Sequence, residues 1–452
     1  MADLHAVRAD HPQDVASLRR RAIAILLRNW RGGATVPTAT LYPHQWSWDA
    51  AFIAIGQAQL SSRRAFAELT SLYGGQWRDG RVPHIVFNRA VGEDAYFPGP
   101  AYWRPLPATG PAAGVATTGL VQPPVHAAAA LDIADRHPGW TTDRALTRLY
   151  PRLARFHDYL FQRRRVGGGL VAIVHPWESG LDNSPAWDQP LAALSPRVDS
   201  VAGNVAELRR DLSHAAAAHR PTDRDYARYV GIVTAYRDRA YADDDLVSLP
   251  FCVVDPLFCT LLVWSEHALA EIAARTGHDP RPHVRRATRL ERRIHTDLFD
   301  PDLRCYVALD ARTGRRIGRR TVSGLAALLL PDLPADRRSA LLSTLTGPSF
   351  GLASAGIRGV PSYDLTASDV DTHRYWRGPT WMNTNWLLWK ALLRHGETAL
   401  ARRLAADMVS LVAQSGFREY FDPRTGIGLG CGDFSWTAAL LLDVTANLDE
   451  TT

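Results

Sequence analysis

Two carboxylic acids stand out by the company they keep. Asp182 lies between His175 and Trp187, in a run that also holds Trp177, Gly180 and Pro185. Glu419 lies far downstream, followed by Tyr420, Phe421, Asp422 and Pro423. Neither sits on a helix face striped with charge. Two carboxyls held in aromatic loops suit cleavage of a glycosidic bond, where one protonates the leaving oxygen and the other activates water or attacks the sugar. Burial between Trp177 and Trp187 would raise the pKa of an acid at 182. Glu178 and Asp188 are rivals for the first role and Asp422 for the second, and spacing alone does not choose among them. Asp422, before Pro423 and with Gly426 following, also suits a plain turn.

The aromatic residues extend the pattern. Of 14 tryptophans, many fall in loop-like motifs: Trp46, Trp48, Trp77, Trp103, Trp177, Trp187, Trp376, Trp381 and Trp436. A single tryptophan is more simply a core residue. Grouped beside Asp, Gln and Arg, tryptophans offer a flat face for sugar C–H groups and partners for the hydroxyls. Tyr42, Trp46, Trp48 and Asp49 stand where a helix begins, with Ser47 placed to cap it. Asp49 suits sugar hydroxyls, or simply the first turn of that helix. His84 reads equally as a ligand to a hydroxyl and as a satisfied buried histidine. Gln122, ahead of two prolines, reads first as a loop residue. Tyr375, Trp376 and Arg377 precede a helix beginning at Pro379 or Thr380. Arg220 either forks onto a substrate carboxylate with Tyr226 beside it, or belongs to a helix start that Thr222 and Asp225 close as a capping box.

Helical spacing accounts for most of the chain. In 142–164, Leu146, Leu149, Leu153, Phe156 and Leu160 form one apolar face interrupted by Pro151. In 254–275 a similar face follows Asp255 as N-cap and Pro256 as first helical residue, and Gly277 closes it. Further helices are predicted over 13–29, 46–58, 61–73, 122–136, 201–217, 222–239, 281–297, 321–330, 334–346, 380–395, 397–414 and 433–446. Strand signals are short and isolated, at Val82–Phe87, Gly169–Val174 and Cys305–Leu309. No βαβ alternation is present, which argues against a Rossmann sheet or a TIM barrel. Paired helices joined by Gly, Pro and aromatic loops predict an all-α helical toroid with its site at one mouth. The stretches 74–120 and 165–200 are too long for simple connections and read as functional loops or lids. No composition break marks a linker, so the whole of 1–452 is expected to form one domain.

Bulk composition narrows the function classes. The net charge of +6 is scattered, with its densest patches at Arg19–Arg21, Arg163–Arg165 and Arg285–Arg286, on or beside helices. Without a basic stripe and interleaved aromatics, nucleic-acid binding is not expected. The four cysteines, Cys252, Cys259, Cys305 and Cys431, show no metal-ligand spacing and read as buried free thiols of a reducing compartment. No apolar run approaches a membrane span, and residues 1–14 lack the apolar segment of a secretory signal. The expectation is a cytoplasmic enzyme with no membrane partner.

Four motifs in order carry a family resemblance: Tyr42 to Asp49, Trp177 to Ser184, Tyr375 to Trp381, and Glu419 to Gly426. Together they resemble glycoside hydrolase family 63, in its small bacterial branch of mannosylglycerate and glucosylglycerate hydrolases, from about Leu41 to Leu442. The resemblance implies an (α/α)6 barrel and an inverting mechanism, with Asp182 as general acid and Glu419 as general base. In such a site the carboxyls stand roughly 6.5–9.5 Å apart. It further implies a sugar site made by Tyr42, Trp46, Trp48, Asp49, His84, Gln122, Trp177, Gly180, Tyr375 and Trp376. Arg220 and Tyr226 would hold the carboxylate of glycerate. The expected substrate is a small anionic α-glycoside, glucosylglycerate first and mannosylglycerate second, cleaved to hexose and glycerate. No metal or other cofactor is required, and homo-oligomerisation stays open. The first forty residues and the loop from Pro107 to Gly119 match less well. Two other readings fit such a toroid: a sugar epimerase or isomerase using His44, His84 or His175 as acid and base, and a sugar-binding protein without catalysis.

Overall fold

The computed structural model describes residues 12–199, 205–213 and 216–447. Among these, helices dominate, and strands are two or three residues long. Twelve helical segments alternate between an outer and an inner ring. They are α1 (Pro12–Asn29), α2 (Ser47–Ala58), α3 (Ser62–Gly74), α4 (His126–Arg136), α5 (Trp140–Arg163), α6 (Pro256–Arg275), α7 (Arg281–Asp297), α8 (Val322–Leu325, continuing as a 3-10 turn over Ala326–Leu329), α9 (Ala335–Thr346), α10 (Met382–Arg394), α11 (Thr398–Ser415) and α12 (Ser435–Asn447). The even-numbered helices close a ring: α2 packs on α4, α4 on α6, α6 on α8, α8 on α10, α10 on α12, and α12 back on α2. This is the (α/α)6 toroid.

The ring explains the sequence pattern. Every residue of α2 is buried, because one side meets the neighbouring inner helices and the other meets the outer ring. An outer helix such as α7 buries only His283, Ala287, Leu290, Glu291 and Ile294, an amphipathic stripe. Gly56 lets α2 and α12 touch: a Cβ there would lie 2.3 Å from the Ala439 Cα. The helix α5 runs unbroken through Pro151. At α6, Asp255 accepts the Phe258 N–H at 3.1 Å as the expected N-cap. By length and composition α6 is apolar enough to cross a membrane, which corrects the expectation that no run approaches that length. In the fold, 78% of its apolar window is buried, as befits an inner-ring helix.

Four other expectations change. The predicted helix 201–217, part of which lies outside the described residues, is reduced to the turns Val205–Leu208 and Asp211–Ser213. The Arg209 N–H still pairs with the Val205 carbonyl at 3.1 Å, while its guanidinium forks onto Asp211 and reaches Asp223 and the Pro221 carbonyl. The helix α4 starts at His126, after the prolines, and α10 at Met382, because Thr380–Trp381 pair as a strand with Tyr420–Phe421. Ser47 does not cap α2; its hydroxyl meets His126 Nε2 at 3.1 Å.

The N-terminal ends of inner helices α2, α4, α10 and α12 face one mouth. Long connections gather over it from 75–125, the described parts of 164–255, and 347–381. The last is a loop that the sequence reading does not single out. The middle one carries an extra helix, Asp223–Asp238, closed by the Thr222/Asp225 capping box.

Candidate active site

At that mouth lies a hollow with about 780 Å³ of empty space, its opening included. Asp182 and Glu419 both line it. So do Tyr42, Trp46, Trp48, Asp49, Gln122, Trp177, Gly180, Arg220, Tyr226, Tyr375 and Trp376. Eleven of the twelve expected binding residues are thus brought together from five separate stretches of chain.

His84 is the exception and is corrected here. It is buried behind the wall, Nδ1 at 2.7 Å from the Thr118 hydroxyl, with its ring stacked at 6.2 Å from Trp177. The short pairing of Ile85–Val86 with Gln45–Trp46 fixes the backbone beside it. His84 supports the Trp177 platform and does not face the hollow. His44 and His175 are likewise buried behind it, with burial pushing them down to about 4 and about 3. Among the described residues, that leaves no histidine in the hollow for acid–base work, against the epimerase reading.

The geometry separates the carboxylates that spacing could not. Glu178 takes the Arg164 fork at 2.8 and 2.9 Å and the N–H groups of Val174 and Val121. It braces the loop from below. Glu178→Ala would leave the buried Arg164 with Asp243 as its carboxylate partner at 3.2 Å but strip the Val121 and Val174 N–H groups of their acceptor, and is expected to destabilise the protein by about 1–3 kcal/mol, read from urea unfolding. An unchanged midpoint would contradict the bracing role. Asp188 is held by Arg377 at 2.9 and 2.8 Å, away from the hollow. Asp422 accepts from the N–H groups of Arg424 and Thr425 and from two threonine hydroxyls, the turn its neighbours suggest.

Asp182 follows the 3-10 turn Pro176–Ser179, where Gly180 takes φ 72°. That glycine is needed twice over: a Cβ would also lie 2.5 Å from the Trp48 ring. The neighbouring Asn183 accepts the Trp376 N–H at 2.9 Å, tying the 182 loop to the 375–376 loop. Tyr375 sits at φ 41°, an uncommon conformation for a tyrosine, and its carbonyl takes the Trp381 indole N–H at 3.0 Å. Trp376 stacks on Trp381 at 3.8 Å and Trp381 on Tyr420 at 4.5 Å, making a rigid wall.

The two carboxyls sit in different settings. Asp182 opens partly to the hollow but is enclosed by protein, and burial pushes its carboxyl up to about 7. Arg220 opposes that shift and the Glu419 charge adds to it. Glu419 is buried and forked by Arg220, 2.9 Å to Oε2 and 3.4 Å to Oε1. Tyr42 donates to Oε1 at 3.0 Å and the Cys431 N–H to Oε2 at 3.2 Å. Arg220 therefore pairs with Glu419 while still lining the hollow. Its guanidinium lies over the Tyr375 ring at 4.8 Å. Tyr226 turns its hydroxyl to the Phe97 carbonyl at 2.7 Å. Burial also drives Asp49 well above the usual carboxylate range, with Glu419 and Asp182 adding to the rise.

The hollow also holds Tyr96, Phe97, Arg210, Asp211 and Phe434, which sequence reasoning did not select. Tyr96 and Phe97 belong to a run with Tyr102 and Trp103 as aromatic as the chosen motifs. That density was the available signal.

A helical toroid holding two unlike carboxyls in a tryptophan-walled hollow is the architecture of a glycoside hydrolase. The chain belongs to the mannosylglycerate hydrolase MGH1-like glycoside hydrolases of family 63, whose domain model matches residues 42–437. It is 39% identical over 437 residues to the mannosylglycerate hydrolase of Rubrobacter radiotolerans, covering 95% of this chain and 97% of that one. It is 37% identical over 448 residues to the glucosylglycerate hydrolase of Mycolicibacterium hassiacum, covering 94% and 97%. The fold matches the crystal structure of a Thermus thermophilus mannosylglycerate hydrolase in complex with Tris and D-glycerate. That match has a TM-score of 0.86 at 38% identity, over 95% of this chain and 100% of that one.

Proposed function

We propose that this glycoside hydrolase is an inverting enzyme that cleaves an α-hexosylglycerate, glucosylglycerate or mannosylglycerate, to hexose and glycerate. The observation that carries this reading is the contrast between the two carboxyls of one hollow. One is raised by burial and the other is ion-paired, and that difference assigns their roles. Asp182, raised to about 7 by burial, keeps a proton to give near neutral pH. Glu419, fixed by a guanidinium, is the partner for water. The oxygen of water bonds to the anomeric carbon as Glu419 takes its proton. The glycosidic C–O bond breaks, and the leaving glycerate oxygen takes the proton of Asp182. The tryptophan walls suit the C–H face of the hexose, and Asp49 and Gln122 suit its hydroxyls.

The substrate class rests on the relatives and on charge. Burial raises both Asp49 and Asp182, which lessens the negative charge that an anionic substrate meets in the hollow. A panel of glucosylglycerate, mannosylglycerate, a longer α-glucoside and trehalose tests this. Turnover is expected of the first two, and preference for either of the others would reject the assignment.

The pH dependence has a definite sign. Asp182 is protonated, hence competent as an acid, below its raised pKa of about 7, and loses that proton above it. The kcat/KM for hydrolysis is expected to fall about tenfold per pH unit on the alkaline side. A profile flat to pH about 9 would show that Asp182 is not the acid.

A further inference from the structure

The surroundings of Glu419 pose a problem for its proposed role. A carboxylate has about four lone-pair sites. Three close donors are aimed at this one, the Tyr42 hydroxyl at 3.0 Å on Oε1 and Arg220 Nη2 at 2.9 Å and the Cys431 N–H at 3.2 Å on Oε2, while Arg220 Nη1 donates to the Tyr42 hydroxyl at 3.0 Å and overhangs Oε1 at 3.4 Å. Oε2 has no site left for the proton of an attacking water, and the one left on Oε1 lies under Arg220 Nη1. Glu419 is free to act as a base once the donor that covers both oxygens leaves. The Cys431 N–H is backbone and fixed. Tyr42 is neutral and has no stronger acceptor to turn to. Arg220 is different: it is a cation in the wall of the same hollow, its Nε is buried without a partner, and another carboxylate would compete for it on equal terms.

We infer that the base is locked in the free enzyme and that the carboxylate of an anionic aglycone unlocks it, by drawing Arg220 off Glu419 and opening a lone pair to water. This rests on the functional reading above and adds to it a specificity device. The charge of the leaving group would then act on kcat and not only on KM. A neutral aglycone of the same shape has nothing to exchange for the guanidinium, and the base stays covered. Arg220 is on this account a positioning residue, acting through Glu419.

Hexosyl fluorides separate the two parts of the claim, because fluoride leaves without protonation and leaves the aglycone space empty. The wild-type protein is supplied with α-glucosyl and α-mannosyl fluoride, with and without D-glycerate, and with glycerol as a neutral control. D-glycerate is expected to raise kcat on the accepted fluoride about tenfold, the scale of one charge-assisted hydrogen bond, while glycerol does not. Arg220→Gln is expected to abolish the response, and Arg220→Lys to reduce it. Should either variant fail to fold, the wild-type comparison still decides. Inhibition by D-glycerate, or an unchanged kcat, would overturn the exchange and leave the hydrolase reading standing. Absence of turnover on both fluorides and both hexosylglycerates would overturn the functional reading itself and the exchange with it.

Discussion

Asp182→Asn is expected to lower kcat/KM on the hexosylglycerate by about a thousandfold, the range of a lost general acid. The amide keeps the size and polarity of the side chain in a loop already pinned by Gly180 and Asn183, so folding is expected to survive. The loss should depend on the leaving group. Glycerate departs as a poor alkoxide and needs the proton, whereas fluoride does not. The variant is therefore expected to hydrolyse the matching α-hexosyl fluoride at close to the wild-type rate. Equal losses on both substrates would mean that Asp182 positions the sugar and donates nothing. The alkaline limb of the pH profile should vanish in the same variant, since the group raised to about 7 is the one removed.

Glu419→Ala should be as damaging, about a thousandfold or more, but with the opposite dependence on the leaving group. Water activation is needed whatever departs, so both the glycerate and the fluoride substrate should suffer. Removing the side chain leaves space beside the anomeric carbon and strands Arg220, whose fork it occupied. A small anion such as azide is expected to enter that space, answer the Arg220 charge and attack the fluoride substrate, giving a β-hexosyl azide. Formation of the α-azide would place Glu419 on the wrong face of the sugar.

The sequence announces the ring of helices because inner and outer helices carry different signatures. α2 is apolar all round and α7 is striped. It misleads at 205–213, where the spacing fits a continuous helix but the chain makes two short turns, with the Arg209 guanidinium between them bound to Asp211 and Asp223. The site is legible as a set of aromatic motifs and less so as a set of roles. Glu178 and Asp182 share one loop, and only the approach of Arg164 from the end of α5 makes the first a brace. His84 looks no different in sequence from a sugar ligand until Thr118 and Trp177 are folded against it. Asp182 and Glu419 are separated by the family resemblance before they are separated by geometry. The commitment of Arg220 to Glu419 spans 199 residues and is visible only in three dimensions.

The central claim, an acid at 182 working with a water-activating partner at 419 across one hollow, is tested most directly by the anomer released. Proton NMR of a glucosylglycerate or mannosylglycerate digest, recorded before mutarotation, should show the β-hexose first and the α-anomer only later, at the rate of spontaneous equilibration. Appearance of the α-hexose as the first product would mean two displacements through a covalent intermediate, and would contradict the assignment of Glu419 as a base acting on water.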